Sequence, residues 1–398
     1  MVHLVRTPLG RHFWFNLTRV FRENDPKIKN YYLISEKMLK ISNIVLKSHF
    51  SCLLRTSQRA LFEYSSKSYC DDLNFKYDVP HYDKVNAWDK QNKSLKILGK
   101  ILSSKRDRAE SDSVVLEGVR LIKDAISHGL SPSVIVFSRE KLLWQLELGN
   151  KTSSKLYHIP YNNIKMWTDL STSPGIMAAF SKQEIVNKAV AQSPVPLSLI
   201  CDNVRTPDNL GAVIRVAAAA GARQILCTRG CVDAWSPKVV RAAAGAHFLL
   251  PIVEKLDWSS IHTMVDQYPK VLLADLDHDQ SSGKNVYYQE LDELDKVCDE
   301  DGEEMCYMNE EICDKYKRIP LSTINYGDLT SLPGYKEAVV VVGGETEGVS
   351  GAAHMFCHRN LGQRLHVPLR NNVNSLNVIS ATSLVMFRVR EALENTKL

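Results

Sequence analysis

Three short stretches in the second half of the chain hold side chains whose types and spacing suit chemistry. The first, DNVRTPDNLGAVIRVAAAAG (202–221), sets Asn209 six residues before Arg215 in a run rich in alanine. An arginine inside such an apolar stretch needs an anion, either a ligand or a structural ion-pair partner. The second, VVVVGGETEGVSG (339–351), drives a valine strand straight into a turn bearing Gly343, Gly344, Glu345 and Gly348. Glycines there permit positive φ and a close approach of backbone to a polar ligand. The loop is neither G-x-G-x-x-G nor a Walker loop ending in Gly-Lys-Ser/Thr, so binding of a nucleotide phosphate is not indicated. The third, HVPLRNNVNSLNVISATSLVM (366–386), runs from a strand end at Val367–Leu369 through an asparagine-rich loop into a helix, with Ser375 or Asn374 as its cap. Capping alone explains Ser375 but not Asn377 beside it.

A buried parallel sheet is the element that can position all three. Leu197–Cys201, Gln224–Cys227, Val271–Ala274 and Ala338–Val342 are apolar runs of strand length. Helices are predicted at Leu210–Ala220, opened by Asn209, at Pro237–Ala244 and at Leu376–Leu393. This α/β region, 197–398, is interrupted at about 277–335 by an acidic segment that reads as a surface insertion between two strands. A tolerated solvated loop is its plainer reading; a shield or partner-binding segment is the bolder one. Upstream, a folded region begins near Ser94 with a strand at Ser113–Glu117, a helix at Val119–His128 and a strand at Ser133–Phe137, forming a small α/β unit over 94–182. The polar stretch Ser181–Pro196 ends in S-P-V-P and reads as a linker.

Charge is distributed unevenly along the 398 residues. Between Asp275 and Asp314, 15 acidic residues stand against Lys284 and Lys296, a local charge of −13 in a chain of net +5, so the remainder carries +18. That excess favours a polyanionic partner such as nucleic acid, although a basic leader plus a solvated basic surface would explain it as well. No apolar run is long enough to span a bilayer. The nine cysteines include no C-x-x-C pair, so neither a disulfide framework nor a zinc site is expected; Cys298, Cys306 and Cys313 are spaced too widely for the usual zinc pairs. At the amino end, Arg6, Arg11, Arg19 and Arg22 precede the first acid, Glu23, and alternate with Phe13, Trp14, Phe15, Leu17, Val20 and Phe21. Residues 1–90 therefore read as a mitochondrial transit peptide and a poorly ordered leader, with a disordered basic tail as the alternative.

The three stretches, in this order, resemble the three motifs of the SpoU branch of the SPOUT RNA methyltransferases. The family pattern N-x-G-x-x-x-R matches Asn209, Gly211 and Arg215; G-x-E-x-x-G matches Gly343, Glu345 and Gly348; and the third pattern matches Val367-Pro368-Leu369 followed by Ser375-Leu376-Asn377-Val378. SPKVVRAAAGA (236–246) resembles a further family segment, and SKRDRAESDSVVLEGVRLI with STSPGIMAAF resembles the small L30e-like RNA-binding domain. The third motif departs from the family at Asn371 or Asn372, where glycine is usual, and at Asn374; asparagine tolerates positive φ, so the loop is expected to keep its form.

The resemblance implies a carboxyl-terminal trefoil knot binding S-adenosyl-L-methionine through Gly343, Gly344, Gly348, Val367, Pro368 and Leu376. It implies catalytic or positioning roles for Arg215, Asn209, Glu345, Ser375 and Asn377, a homodimer, and no metal. The leader and the insertion make the mitochondrial members of the family the nearest match. The implied activity is 2′-O-methylation of mitochondrial large-subunit ribosomal RNA in the matrix, at a guanosine. A transfer RNA methyltransferase, a non-catalytic ribosome-assembly factor on the same fold, and a nicotinamide dehydrogenase are the competing readings, the last disfavoured by the missing G-x-G-x-x-G.

Overall fold

Four consecutive valines, Val339–Val342, are buried within the strand Ala338–Gly343, which is hydrogen-bonded on both sides. Each such side chain withdrawn from water contributes about 1.5–3 kcal/mol, and the rest of the domain is arranged around this strand. The computed structural model describes residues 80–85, 92–148, 153–189, 194–265, 267–274, 317, 321–345, 348–371 and 373–396.

In chain order the first part comprises β1 (Asp83–Lys84), α1 (Lys93–Ser103), α2 (Lys105–Glu110), β2 (Ser113–Glu117), α3 (Val119–Ser127), β3 (Val134–Phe137), α4 (Glu140–Trp144), β4 (Lys155–His158), α5 (Tyr161–Lys165), β5 (Ile176–Ser181) and α6 (Lys182–Lys188). The second comprises β6 (Val195–Asp202), α7 (Pro207–Ala219), β7 (Ala222–Thr228), α8 (Pro237–Ala243), β8 (Ile252–Leu256), α9 (Trp258–Met264), β9 (Lys270–Ala274), β10 (Thr323–Asn325), β11 (Ala338–Gly343), α10 (Gly351–Arg359), β12 (Gln363–His366) and α11 (Val378–Thr396).

The second part is a seven-stranded parallel sheet in the order β10-β12-β9-β11-β6-β7-β8. Successive residues of a strand face opposite sides, so each central strand must satisfy two cores. Leu197, Leu199 and Cys201 of β6 and Val340 and Val342 of β11 face one core, shared with α7, α8 and α11. Ile200, Val339 and Val341 face the other, with Trp258 and Ile261 of α9 and Met355 and Phe356 of α10. The late strand β11 lies between β9 and β6, both formed earlier in the sequence. From β11 the chain passes through α10 to β12 beyond β9, then returns so that α11 packs on α7, β6 and β11.

The first part is a five-stranded mixed sheet in the order β1-β4-β3-β5-β2. One face is covered by α1 and α5; the core on its other face is continuous with the α7–α8 core of the large sheet. Two ion pairs fasten the parts together: Arg108 to Asp233 at 2.9 Å, largely buried, and Arg241 to the buried Glu117 at 3.5 Å. Thr168 also donates to Glu117, at 2.7 Å.

Several sequence expectations need correction. The stretch 181–196 is not a plain linker: Ser181 caps α6 by accepting the Glu184 N–H, as the S-x-x-E spelling of residues 181–184 allows. The fold extends upstream of Ser94, where β1 pairs with β4 and Tyr82 meets Phe137 edge to face. Between 321 and 335 the expected insertion is built into the fold, because β10 pairs with β12 and Leu329 and Leu332 are buried. Residues 275–316, the predicted transit peptide and Cys298, Cys306 and Cys313 lie outside the described residues.

Helices α7 and α8 touch at Gly211, where an added Cβ would stand 2.4 Å from Ala242 Cβ and 2.6 Å from the Val239 carbonyl oxygen. Neither neighbour can swing aside, since one is a short stub and the other backbone. Gly211→Val is expected to cost about 1–3 kcal/mol, the usual range for overpacking. Urea unfolding would measure it; an unchanged midpoint would show that the helices separate freely.

Candidate functional site

The carboxyl ends of β6, β7 and β11 meet at one point, and a buried carboxylate holds them there. Asp202, the last residue of β6, is 1% exposed. Its Oδ2 accepts the Ser350 N–H at 2.6 Å; its Oδ1 accepts from the Thr228 hydroxyl and from Asn203 Nδ2, both at 3.3 Å. Ser350 caps α10 and Thr228 ends β7, so one side chain ties the first stretch to the chain leaving the second and to a neighbouring strand. Burial raises the Asp202 pKa above the ordinary carboxylate value, and the Ser350 N–H opposes part of that rise.

Glycines let the backbones close up around this anchor. A Cβ on Gly343 would stand 2.4 Å from the Gly348 carbonyl, and one on Gly344 would stand 2.5 Å from the Asn203 carbonyl oxygen. Gly348 takes φ +66° and returns its N–H to the Gly344 carbonyl at 3.1 Å, closing the turn. Asn203, itself at φ +56°, is wedged from the other side by Gly230, whose added Cβ would overlap its amide.

The third stretch reaches the second through Asn377. Its Nδ2 donates to Glu345 Oε1 at 2.5 Å, and its Oδ1 accepts the Ile379 N–H at 2.9 Å. Asn377, not Ser375 or Asn374, therefore caps the final helix, which starts at Val378 rather than Leu376. The strand expected at Val367–Leu369 ends earlier, at His366. Asn371 adopts φ +59°, as the tolerance of asparagine for that region anticipated.

The remaining predicted residues are placed as follows. Helix α7 opens at Pro207 after Thr206, so Asn209 lies in its first turn, 8% exposed. Arg215 stands on the exposed side of α7 with no ion pair or side-chain hydrogen bond among the described residues. The expected need for an anion, as a ligand or a structural ion-pair partner, is not imposed by burial, because helical periodicity puts Val213, Ile214 and Ala217 inward and turns 215 out. Ser375 is exposed with no polar partner among the described residues. Thus the fold joins Glu345 to Asn377, sets both on the sheet end anchored by Asp202, and leaves Arg215 and Ser375 open to solvent.

The loop 367–377 links β12 to the final helix. Among the described residues its only internal backbone hydrogen bond runs from the Val373 N–H to the Arg370 carbonyl. The peptide groups near Val367 and Leu376 are therefore available to read ligand edges, and the half-buried side chains of Val367, Leu369 and Leu376 offer apolar walls beside the exposed Pro368. Sequence reasoning missed Asp202, Asn203, Thr228, Gly230 and Ser350. The available signal was Asp202 itself, a carboxylate ending an otherwise apolar strand.

Comparison with known proteins follows this geometry. Residues 196–387 match the model of the SpoU rRNA Methylase family. The chain is 35% identical over 328 residues to rRNA methyltransferase 3, mitochondrial, of Xenopus laevis, covering 79% of this chain and 77% of that protein. It is 25% identical to the 23S rRNA (guanosine(2553)-2′-O)-methyltransferase RlmP of Bacillus subtilis, covering 77% of this chain and 96% of that one. Among solved structures, the SpoU methyltransferase AviRb from Streptomyces viridochromogenes, in complex with AdoMet, superposes with a TM-score of 0.56 at 18% identity, covering 76% of this chain and 98% of that chain. The likeness establishes a shared fold.

The Asp202 anchor predicts a pH dependence. Its pKa is higher folded than unfolded, so folding takes up a proton between those two values, and stability falls as pH rises from the ordinary carboxylate value through the raised folded one. Relative to Asp202→Asn, wild type should therefore lose stability as pH rises through that window; parallel curves would remove Asp202 as the source. Asp202→Ala, which orphans the Ser350 N–H, should cost about 1–3 kcal/mol in urea titrations.

Proposed function

The chain belongs to the SpoU rRNA methylase family, and from that membership we propose that it uses S-adenosyl-L-methionine to methylate a ribose 2′-hydroxyl of ribosomal RNA. The proposed substrate is mitochondrial large-subunit RNA, with a guanosine as acceptor. The observation that carries this reading is the Glu345–Asn377 hydrogen bond, which unites the second and third motifs at the sheet end that Asp202 anchors. The names of the frog and Bacillus relatives support the substrate class, the compartment and the ribose position.

When bound, S-adenosyl-L-methionine supplies an electrophilic methyl on a sulfonium. The residues that would hold it are Gly343, Gly344 and Gly348 in the glycine turn and Val367, Pro368 and Leu376 around the open loop; the unpaired peptide groups of that loop fit the adenine and ribose edges. What the chain must add is alignment of the attacking oxygen and stabilisation of the charge that grows on it. Arg215 is the cation suited to this. A guanidinium offers N–H donors and no acceptor, so we assign Arg215 to the RNA phosphate and the developing alkoxide rather than to proton removal. Asn377 holds Glu345 by a charge-assisted bond and so fixes the polar rim of the site; Asn209 and Ser375 complete that rim.

A homodimer completes the proposal. Val373 on the open loop and Leu384 and Phe387 on α11 are large apolar side chains left exposed beside the site, a surface that a second subunit would cover. The small amino-terminal unit is assigned to RNA binding and the leader to import into the mitochondrial matrix.

Two measurements test the reading. The chain is incubated with methyl-labelled S-adenosyl-L-methionine and mitochondrial large-subunit rRNA, and the RNA is digested with alkali. Label in alkali-resistant dinucleotides is expected, because a blocked 2′-hydroxyl cannot attack its neighbouring phosphate. Label in mononucleotides would mean base methylation, label only when transfer RNA is supplied would change the substrate, and no label with no cofactor binding would leave an assembly factor. Separately, Arg215→Ala should lower kcat by about 10²–10³, the cost typical of losing one stabilising donor, while leaving a folded dimer by light scattering; retained activity would remove Arg215 from the mechanism.

A further inference from the structure

The first helices of the small unit carry a motif that the proposed reaction does not use. Residues 93–106, KSLKILGKILSSKR, hold five cations and no carboxylate. Amphipathy orients α1: Leu95, Leu98 and Ile101 are buried against the sheet, which forces the polar positions outward. Lys93, Lys96 and Lys100, at i, i+3 and i+7, are all exposed along one side, and none has an ion pair or side-chain hydrogen bond among the described residues. Ile97, 52% exposed, sits between them. Beside this stripe, Trp167 lies against Gly99, its indole nitrogen 3.9 Å from where a Cβ would stand, and Met166 is 65% exposed. Cations interleaved with apolar and aromatic surface suit a ribose-phosphate chain whose bases pack while its phosphates pair.

The stripe leads toward the candidate site. Ser104 joins α1 to α2 and caps it by accepting the Asp107 N–H. The next residue, Lys105, lines a groove of about 50 Å³ between α2 and the carboxyl ends of β7 and β8. The carboxylates in that groove are already engaged: Asp233 pairs with Arg108, and Glu254 accepts the Ala234 N–H and pairs with Lys255. Arg229 pairs with Asp257, so Lys105 is the lining cation with no ion pair among the described residues. Thr228, also in the groove, donates to Asp202, the anchor of the site.

We propose that the exposed face of α1 is a track for the substrate RNA backbone outside the reacting nucleotide, with Lys93, Lys96 and Lys100 pairing phosphates, Ile97 and Met166 packing a base or ribose, and Lys105 guiding the strand past the groove toward the site. This inference rests on the RNA methyltransferase reading. It assigns these lysines to substrate affinity and leaves the methyl-transfer step to the motif residues.

The test uses the full chain and a mitochondrial large-subunit rRNA fragment. Binding is measured at several salt concentrations, and KM and kcat are measured alongside. Replacing Lys93, Lys96 and Lys100 together by glutamine should weaken RNA binding and raise KM by at least about tenfold, and should flatten the plot of log K against log salt by about 2, as expected for three lost contacts to single-stranded phosphates. Lys105→Gln alone should flatten the plot by about 1 or less. Binding of S-adenosyl-L-methionine, kcat at saturating RNA and the thermal midpoint should stay at wild-type values. An unchanged slope and KM in the triple variant would overturn the track while leaving the methyltransferase reading intact. Wild-type protein that neither binds RNA nor transfers methyl would overturn both.

Discussion

Asp202 is the last residue of β6, paired with Gly343 at the carboxyl end of the parallel sheet. The carboxyl end of a strand exposes peptide groups that the next turn must satisfy, and here one carboxylate serves the Ser350 N–H, the Thr228 hydroxyl and the Asn203 amide together. Desolvating that charge is costly, which is why its pKa rises, and the hydrogen bonds offset part of the cost. Everything functional is hung from this point. The turn into α7, the glycine turn after β11 and the cap of α10 each touch Asp202 or the residue after it.

The glycines belong to the same constraint. The Gly343 and Gly344 backbones approach Gly348 and Asn203 at distances no Cβ would permit. The resulting platform is closely packed where chain crosses chain and open at the loop 367–377, whose one internal backbone hydrogen bond among the described residues is from the Val373 N–H to the Arg370 carbonyl. Close packing and openness side by side suit the proposed site, which would hold a cofactor and admit a polymer. The exposure of Arg215 fits the role proposed for it, since a cation that is to pair with a phosphate must stand where the phosphate can reach it.

The small unit is fixed to this platform by charge as well as by apolar contact. Glu117 is buried and its pKa is raised by that burial, while Thr168 and Arg241 favour its charged form. Arg108 and Asp233 form the second tie. Breaking one partner of such a pair strands the other in a poorly solvated place, so these ties favour one arrangement of the two sheets over others. The lysine face of α1 is thereby presented at a defined place relative to the site.

The sequence by itself determined the central strands and the motifs that mark the family. Valine runs specified buried parallel strands, because a side chain of that shape with no polar atom has no better place. The order and spacing of N-x-G-x-x-x-R, G-x-E-x-x-G and S-L-N-V specified the family, since those residues stand close together in the chain. Only the tertiary structure decided which of them meet. That Asn377 caps α11 and also holds Glu345, 32 residues away, follows from the chain returning past β9, a topology that local periodicity does not encode. The outward turn of Arg215 was readable from helical phase once the helix was known to start at Pro207. The role of Asp202 was not, because a carboxylate at a strand end looks like any turn residue until Ser350, 148 positions later, is brought to 2.6 Å.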